Sequence, residues 1–317
     1  MLSATKTDLT LSRQQRLYGR LLLLVAGLGG LLYGVDVGII GGALPYLVAT
    51  AHLTTSQLSM VVAAVLLGSV LSTLFAGVLA DAMGRRNILV LSGLAFIVSI
   101  PVIALSQSYA SLFLGRVLQG MSGGLIGVVV PLYLAECLGA DVRGKGAGLF
   151  QWLLTLGIFL AALIGIFYSY RVEAIQRLGD PQVLFQFQDS AWRHIFWASL
   201  PPGVLFVVGS FLLSESPRWL VQKRRPEQAL QALLRSLPEA EARLELNEIT
   251  AAINTDSGAP NSIQTGAPSR SRSLLQRKYV VPFLIACAVL FCNTATGINS
   301  IIGYNTNILL QSGLGDV

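Results

Sequence analysis

Charge is what this chain has least of. Only 12% of its 317 residues are Asp, Glu, Lys or Arg, about half the fraction a soluble domain carries. Too few charges remain to build a water-facing surface, so an ordinary soluble globular protein is excluded. Histidine (2) and cysteine (3) are also scarce. Cys137, Cys287 and Cys292 lack metal-ligand spacing, so no metal site is expected, and Cys287 and Cys292 read as packing residues. No activated nucleophile, phosphate loop or dinucleotide motif occurs. GLGG (27–30) and GGLIG (123–127) lie inside apolar runs and not after a strand, which makes them helix-packing glycines. An enzyme is therefore the least favoured class, and no cofactor is expected.

What fills the chain is apolar. Hydrophobic residues make up 53% of it and the mean hydropathy is +0.66. Seven segments come near the roughly 20 residues needed to cross a bilayer: 21–47, 58–80, 88–106, 111–137, 147–169, 194–213 and 279–303. The fold class is an all-α membrane protein, with the lipid bilayer as its solvent. The net charge of +6 is mostly a topology signal. Arg13, Arg16 and Arg20 precede segment one, Arg85 and Arg86 follow segment two, Arg143 and Lys145 follow four, and ten cations lie between six and seven. The loops near His52 and Gln107 carry none. The positive-inside rule then places the N-terminus and the even loops in the cytoplasm of a cell-membrane protein. No basic face with interleaved aromatics appears, so nucleic acid is not an expected partner. Met1–Arg20 has no small-residue cleavage pattern and reads as a cytoplasmic tail.

Two charges break the apolar pattern. Asp36 interrupts LLLLVAGLGGLLYGVDVGIIGGALPYL and Arg116 interrupts LFLGRVLQGMSGGLIGVVVPLYLAE. A charge at that depth costs about 2.5–3.5 kcal/mol on insertion scales and normally faces a bundle interior or a water cavity. A proton relay or ion path is the default reading; a purely structural buried ion pair is the alternative. Farther along, Pro226–Leu237 and Pro238–Asn254 have helical spacing, each opening on Pro-Glu, and Asp256–Ser273 has linker composition. Segment seven is interrupted by NTATGIN (293–299). Local unwinding beside a cavity and simple interhelical hydrogen bonding both remain open readings of it.

These motifs, in this order, resemble the sugar porter family of the major facilitator superfamily. They are GLLYGVDVGIIGGAL (30–44), DAMGRR (81–86), GRVLQGMSGG with PLYLAE and RGKG (115–146), and SESPRWL (214–220). The resemblance implies two six-helix bundles joined by a helical cytoplasmic segment. On that pattern, 1–20 is a tail, 21–220 the first bundle, 221–277 the linker and 278–317 the start of a second bundle, so the chain reads as C-terminally truncated. It implies transport of a sugar or similar polyol with protons. Asp36 would be the proton-coupling acid and Arg116 its partner, and Tyr33, Gln151, Asn293, Thr294 and Asn299 would face substrate. Asp81, Arg85, Arg86, Glu136, Arg143, Glu215 and Arg218 would form a cytoplasmic charge latch. The chain departs from the family where Asn293 and Thr294 replace a Gln-Gln pair, Ile158 a second glutamine, and Ser199 an acid. Facilitative uniport, which usually has a neutral residue at the place of Asp36, is the first alternative. A non-transporting membrane sensor or incomplete fragment is the second.

Overall fold

The computed structural model describes residues 11–177, 179–257, 277–297 and 301. The elements described are helices, with no strand among the described residues. In chain order they are α1 (Arg13–Thr50), α2 (Thr55–Met83), α3 (Arg85–Ala104), α4 (Tyr109–Cys137), α5 (Ala140–Gln176), α6 (Pro181–Trp197), α7 (Leu200–Leu212), α8 (Pro217–Gln222), α9 (Pro226–Leu234), α10 (Glu239–Ser257) and α11 (Arg277–Ala295). Among the described residues, six stretches are long and apolar enough to cross a membrane, the sixth being α6 and α7 together over Pro181–Leu212.

Local chemistry sets the boundaries. α1 begins eight residues before the apolar run because Ser12 and Gln15 form a reciprocal capping box. At 38 residues it is about 57 Å long, well beyond the ~30 Å hydrocarbon core. Its basic first turns therefore project past the bilayer. Thr54 and Gln57 repeat the box at α2. The span expected over 194–213 begins earlier, at Pro181, where Asp180 caps the helix. The polar residues of α6 hid it from a hydropathy reading. Pro201 and Pro202 supply no backbone donors, and the helix breaks at Ala198–Ser199, with the Ser199 hydroxyl donating to the Phe196 carbonyl at 2.6 Å.

Glycine governs how the helices meet. Gly30, Gly34, Gly38 and Gly42 run down one side of α1, against Gly157, Ala161 and Gly165 of α5. A Cβ on Gly34 would collide with the Leu154 carbonyl, and one on Gly42 would lie 2.8 Å from the Gly165 Cα. In lipid, where apolar surface gains nothing by burial, such close backbone approach is what holds helices together. α2 meets α4 in the same way at Gly68 and Gly120, and α3 adds a hydrogen bond from the Ser122 hydroxyl to the Ser92 carbonyl at 2.7 Å.

Two apolar clusters fill the bundle. One, at the end where α1 begins, includes Leu22, Phe96, Val129, Tyr133 and Phe206. The other includes Ile39, Leu47, Leu112, Trp192 and Phe196. Asp36, Arg116 and Gln119 are buried where the two meet.

The expected seventh span differs. The apolar part of α11, Val280–Ala295, is shorter than the other spans, and residues 281–296 are exposed. Cys287 and Cys292 are exposed rather than packed. The helix ends at Ala295; Thr296 turns and Gly297 adopts φ 75°. Within the expected linker, 258–276 lies outside the described residues.

Candidate functional site

α1 and α4 each carry one intramembrane charge into the bundle interior. Asp36 and Arg116 are each 1% exposed. The pairing expected between them is not made: neither oxygen of Asp36 has a hydrogen-bond partner among the described residues. Instead the Asp36 Oδ2 lies against Gly123 of α4, 2.8 Å from where a Cβ would stand. Gly123 and Gly127 also accommodate the Tyr33 ring. Any larger residue at 123 would push the carboxylate away.

Arg116 turns to its own helix. Its Nη1 donates to the Gln119 Oε1 at 2.6 Å, and its guanidinium lies 5.5 Å from the centre of the Phe196 ring. A carbonyl dipole and an aromatic face are weaker company than a carboxylate, but both favour a cation out of water. Gln119 is fully buried, and among the described residues its Nε2 has no partner, like the Arg116 Nε. Three side chains within two turns of one seam thus hold unspent hydrogen-bonding capacity. Such an arrangement is costly, and it is suited to exchanging partners. Sequence reasoning missed Gln119. Its i, i+3 spacing from Arg116 inside an apolar run was the available signal.

Of the expected substrate residues, the structure brings two to one level. Gly30 rests on Phe150 and Gly34 on Leu154, so Tyr33 and Gln151 lie at one level of the bundle, with the Tyr33 ring turned to Gly123 and Gly127 of α4. Tyr33 is half-buried and Gln151 exposed. Asn293 and Thr294 lie on the exposed α11, where the Thr294 hydroxyl donates back to the Leu290 carbonyl at 2.8 Å. Neither is gathered against Tyr33 or Gln151. Asn299 lies outside the described residues.

The expected charge latch is partly assembled at the end of the bundle where α3 begins. Arg85 and Glu136 form a two-pronged pair, Nε to Oε2 at 2.8 Å and Nη2 to Oε1 at 2.9 Å, with side chains only 5% and 6% exposed. The Arg85 Nη1 reaches Asp81 at 2.9 Å. The Glu215 Oε1 accepts the backbone N–H of Arg85 at 2.8 Å and of Arg86 at 3.1 Å, an anion on a helix N-terminus. Gly84, at φ 97°, makes room: a Cβ there would strike the Glu215 carboxylate. Arg86 donates from Nη2 to the Phe211 carbonyl at 2.6 Å. Two expected members stand apart, since Arg143 donates to the Leu138 carbonyl at 2.8 Å and Arg218 is exposed. Two others were not anticipated. The Ser216 hydroxyl donates to Glu136 at 2.6 Å, and the Trp219 indole to the Asp81 carbonyl at 2.9 Å.

Comparison with known proteins matches residues 22–317 to the family described as sugar (and other) transporter. The glucose transporter GlcP of Staphylococcus epidermidis is 30% identical over 93% of this chain and 60% of its own length. The arabinose-proton symporter of Bacillus subtilis is 31% identical over 92% and 58%, and the galactose-proton symporter of Escherichia coli 32% identical over 71% and 45%. The chain therefore spans roughly half the length of these relatives. Among solved structures, the partially occluded inward-open xylose transporter XylE of Escherichia coli superposes with a TM-score of 0.72, at 24% identity over 90% of this chain and 66% of that one. The major facilitator superfamily proton:xylose symporter XylE bound to 6-bromo-6-deoxy-D-glucose gives 0.67, at 25% identity over 77% and 55%.

Proposed function

The chain belongs to the sugar (and other) transporter family, and from that premise we propose that it serves proton-coupled transport of a sugar or similar polyol, with Asp36 as the proton carrier. It is a multi-pass membrane protein of major facilitator fold. The observation that carries the coupling reading is Asp36 itself: 1% exposed, with both oxygens unpartnered beside an arginine that has turned elsewhere. A facilitative carrier has no use for such a group, and lipid-facing helices rarely tolerate one.

The cycle follows from exchange of partners. With a proton on Asp36, the carboxyl group is neutral and Arg116 is held by Gln119 and Phe196, the arrangement observed. When the proton leaves, the carboxylate and the guanidinium are drawn together, and Arg116 gives up Gln119. Each state satisfies Arg116 differently, and α4 is held to α1 differently in each. Substrate binds at the level that Tyr33 and Gln151 share. A side-chain amide donates and accepts at once, which suits a polyol. Asn293, Thr294 and Asn299 would complete the shell from beyond the first bundle. The names of the relatives, with glucose, arabinose and galactose among them, support a sugar as cargo. The network of Asp81, Arg85, Arg86, Glu136 and Glu215 holds the ends of α2, α3, α4 and α7 together as a cytoplasmic latch, with the N-terminus on that same side. Arg143 and Arg218, which stand apart from that network, would meet a partner bundle.

Uptake of a radiolabelled panel of hexoses, pentoses and polyols by a transport-deficient bacterial host expressing the chain within a complete two-bundle transporter tests this reading. Saturable accumulation of one class, abolished by a protonophore, is the expected result. Accumulation indifferent to the protonophore would overturn the coupling reading.

A further inference from the structure

One groove lies away from Tyr33, Asp36 and Gln151. It has a volume of about 380 Å³ and runs between α1 and α5, lined by Arg20, Leu23, Leu24, Gly27, Leu28, Leu31, Leu149 and Leu153. Its floor is the notch at Gly27, into which Leu153 drops; a Cβ there would collide with that side chain. The only polar lining is Arg20, at one end.

The sequence extends the groove past that end. Arg13, Arg16, Arg20, Leu24, Gly27 and Leu31 follow one another at spacings of 3, 4, 4, 3 and 4 residues, so all six lie on one face of α1. Three exposed guanidinium groups therefore continue the line of an apolar slot. From Arg20 to Leu31 the helix rises about 16 Å, close to the ~15 Å depth of one leaflet's hydrocarbon. Arg20 then stands at headgroup level, with Arg16 and Arg13 one and two turns above it. A guanidinium fork matches the oxygens of a phosphate, and basic pockets between membrane helices recognise anionic headgroups.

We propose that this groove binds an anionic phospholipid of the leaflet that holds the start of α1. One acyl chain lies along Leu24, Gly27, Leu31 and Leu153, and the phosphate rests on Arg20 and Arg16. A zwitterionic lipid fills the slot equally well but gains less from the arginines, because its own cation opposes them. The bound lipid bridges α1 and α5 at the end where their glycine seam runs out. The site needs only insertion of the bundle in lipid and is independent of whether the protein carries sugar.

The test is native mass spectrometry of the purified 317-residue chain released from nanodiscs of equal parts phosphatidylglycerol and phosphatidylcholine. The expected result is one tightly retained phosphatidylglycerol. Paired Arg16→Gln and Arg20→Gln should lower its retention over phosphatidylcholine about 25-fold, since each arginine near the surface contributes about fivefold. Leu153→Trp, which fills the slot, should remove the retained lipid of either kind. The control pair Arg224→Gln and Arg225→Gln removes equal charge from exposed sites between α8 and α9, off the groove, and should leave retention unchanged. Equal retention of both lipids by the unmodified chain would overturn the proposal. So would an equal loss in both charge pairs, which would mean a general annular attraction only. If Leu153→Trp fails to fold, the two charge pairs still decide.

Discussion

Arg85→Leu isolates the interaction that ties three helices together at the end of the bundle. The substitution removes both prongs on Glu136, at 2.8 and 2.9 Å, the bond to the Ala80 carbonyl at 3.1 Å and the contact with Asp81 at 2.9 Å. Asp81 is 67% exposed, so its share is about 0–1 kcal/mol. Glu136 is different: 6% exposed, it would keep a single donor, the Ser216 hydroxyl. A buried charge stripped of its partner costs about 3–5 kcal/mol. The backbone bonds from Arg85 and Arg86 to Glu215 survive, so α3 should keep its capped start. Reversible unfolding in mixed micelles, followed by circular dichroism, measures the loss. Replacing both partners, Arg85→Leu with Glu136→Leu, should cost less than Arg85→Leu alone, because no orphaned carboxylate remains. A single-variant loss under about 1 kcal/mol, the range of an exposed pair, would refute the reasoning, as would a double variant whose loss is the sum of the singles.

Gly34→Val drives a branched side chain into the Leu154 carbonyl; the folded fraction recovered from membranes should fall severely, whereas Gly77→Val, at an open position, should not change it. Gln119→Met conserves volume but leaves the Arg116 Nη1 without its 2.6 Å acceptor, and should cost about 1–3 kcal/mol in the same unfolding assay; a neutral result would remove Gln119 from the exchange. In a cysteine-free background, Gln107→Cys should react with an impermeant maleimide from outside intact cells and Lys145→Cys only after permeabilisation; the reverse pattern would invert the topology.

The sequence made the membrane class legible because lipid-facing residues leave no room for polarity. The same filter hid the polar ends. Arg13–Arg20 is helical through its cap, and α6 through Asp180 and Pro181, signals that lie outside any hydropathy window. Asp36 and Arg116 stood out as charges in apolar runs, but no pattern in one dimension says that Arg116 turns to Gln119 and not to Asp36. The latch was read as seven charges. The structure joins five of them, and a serine, an indole and a left-handed glycine complete the network. Those three carry no charge and so gave no signal. Cys287 and Cys292 looked like core residues because apolar context alone does not separate a buried face from an exposed one.

Whether Asp36 carries the proton is decided by following external pH while sugar is added to lightly buffered, energy-depleted cells that express the chain within a complete two-bundle transporter. With the unmodified chain, sugar entry should draw protons in and the medium should turn alkaline. With Asp36→Asn the alkaline shift should vanish, while exchange of labelled for unlabelled sugar across the membrane continues. An undiminished proton influx in the Asp36→Asn variant would contradict the account.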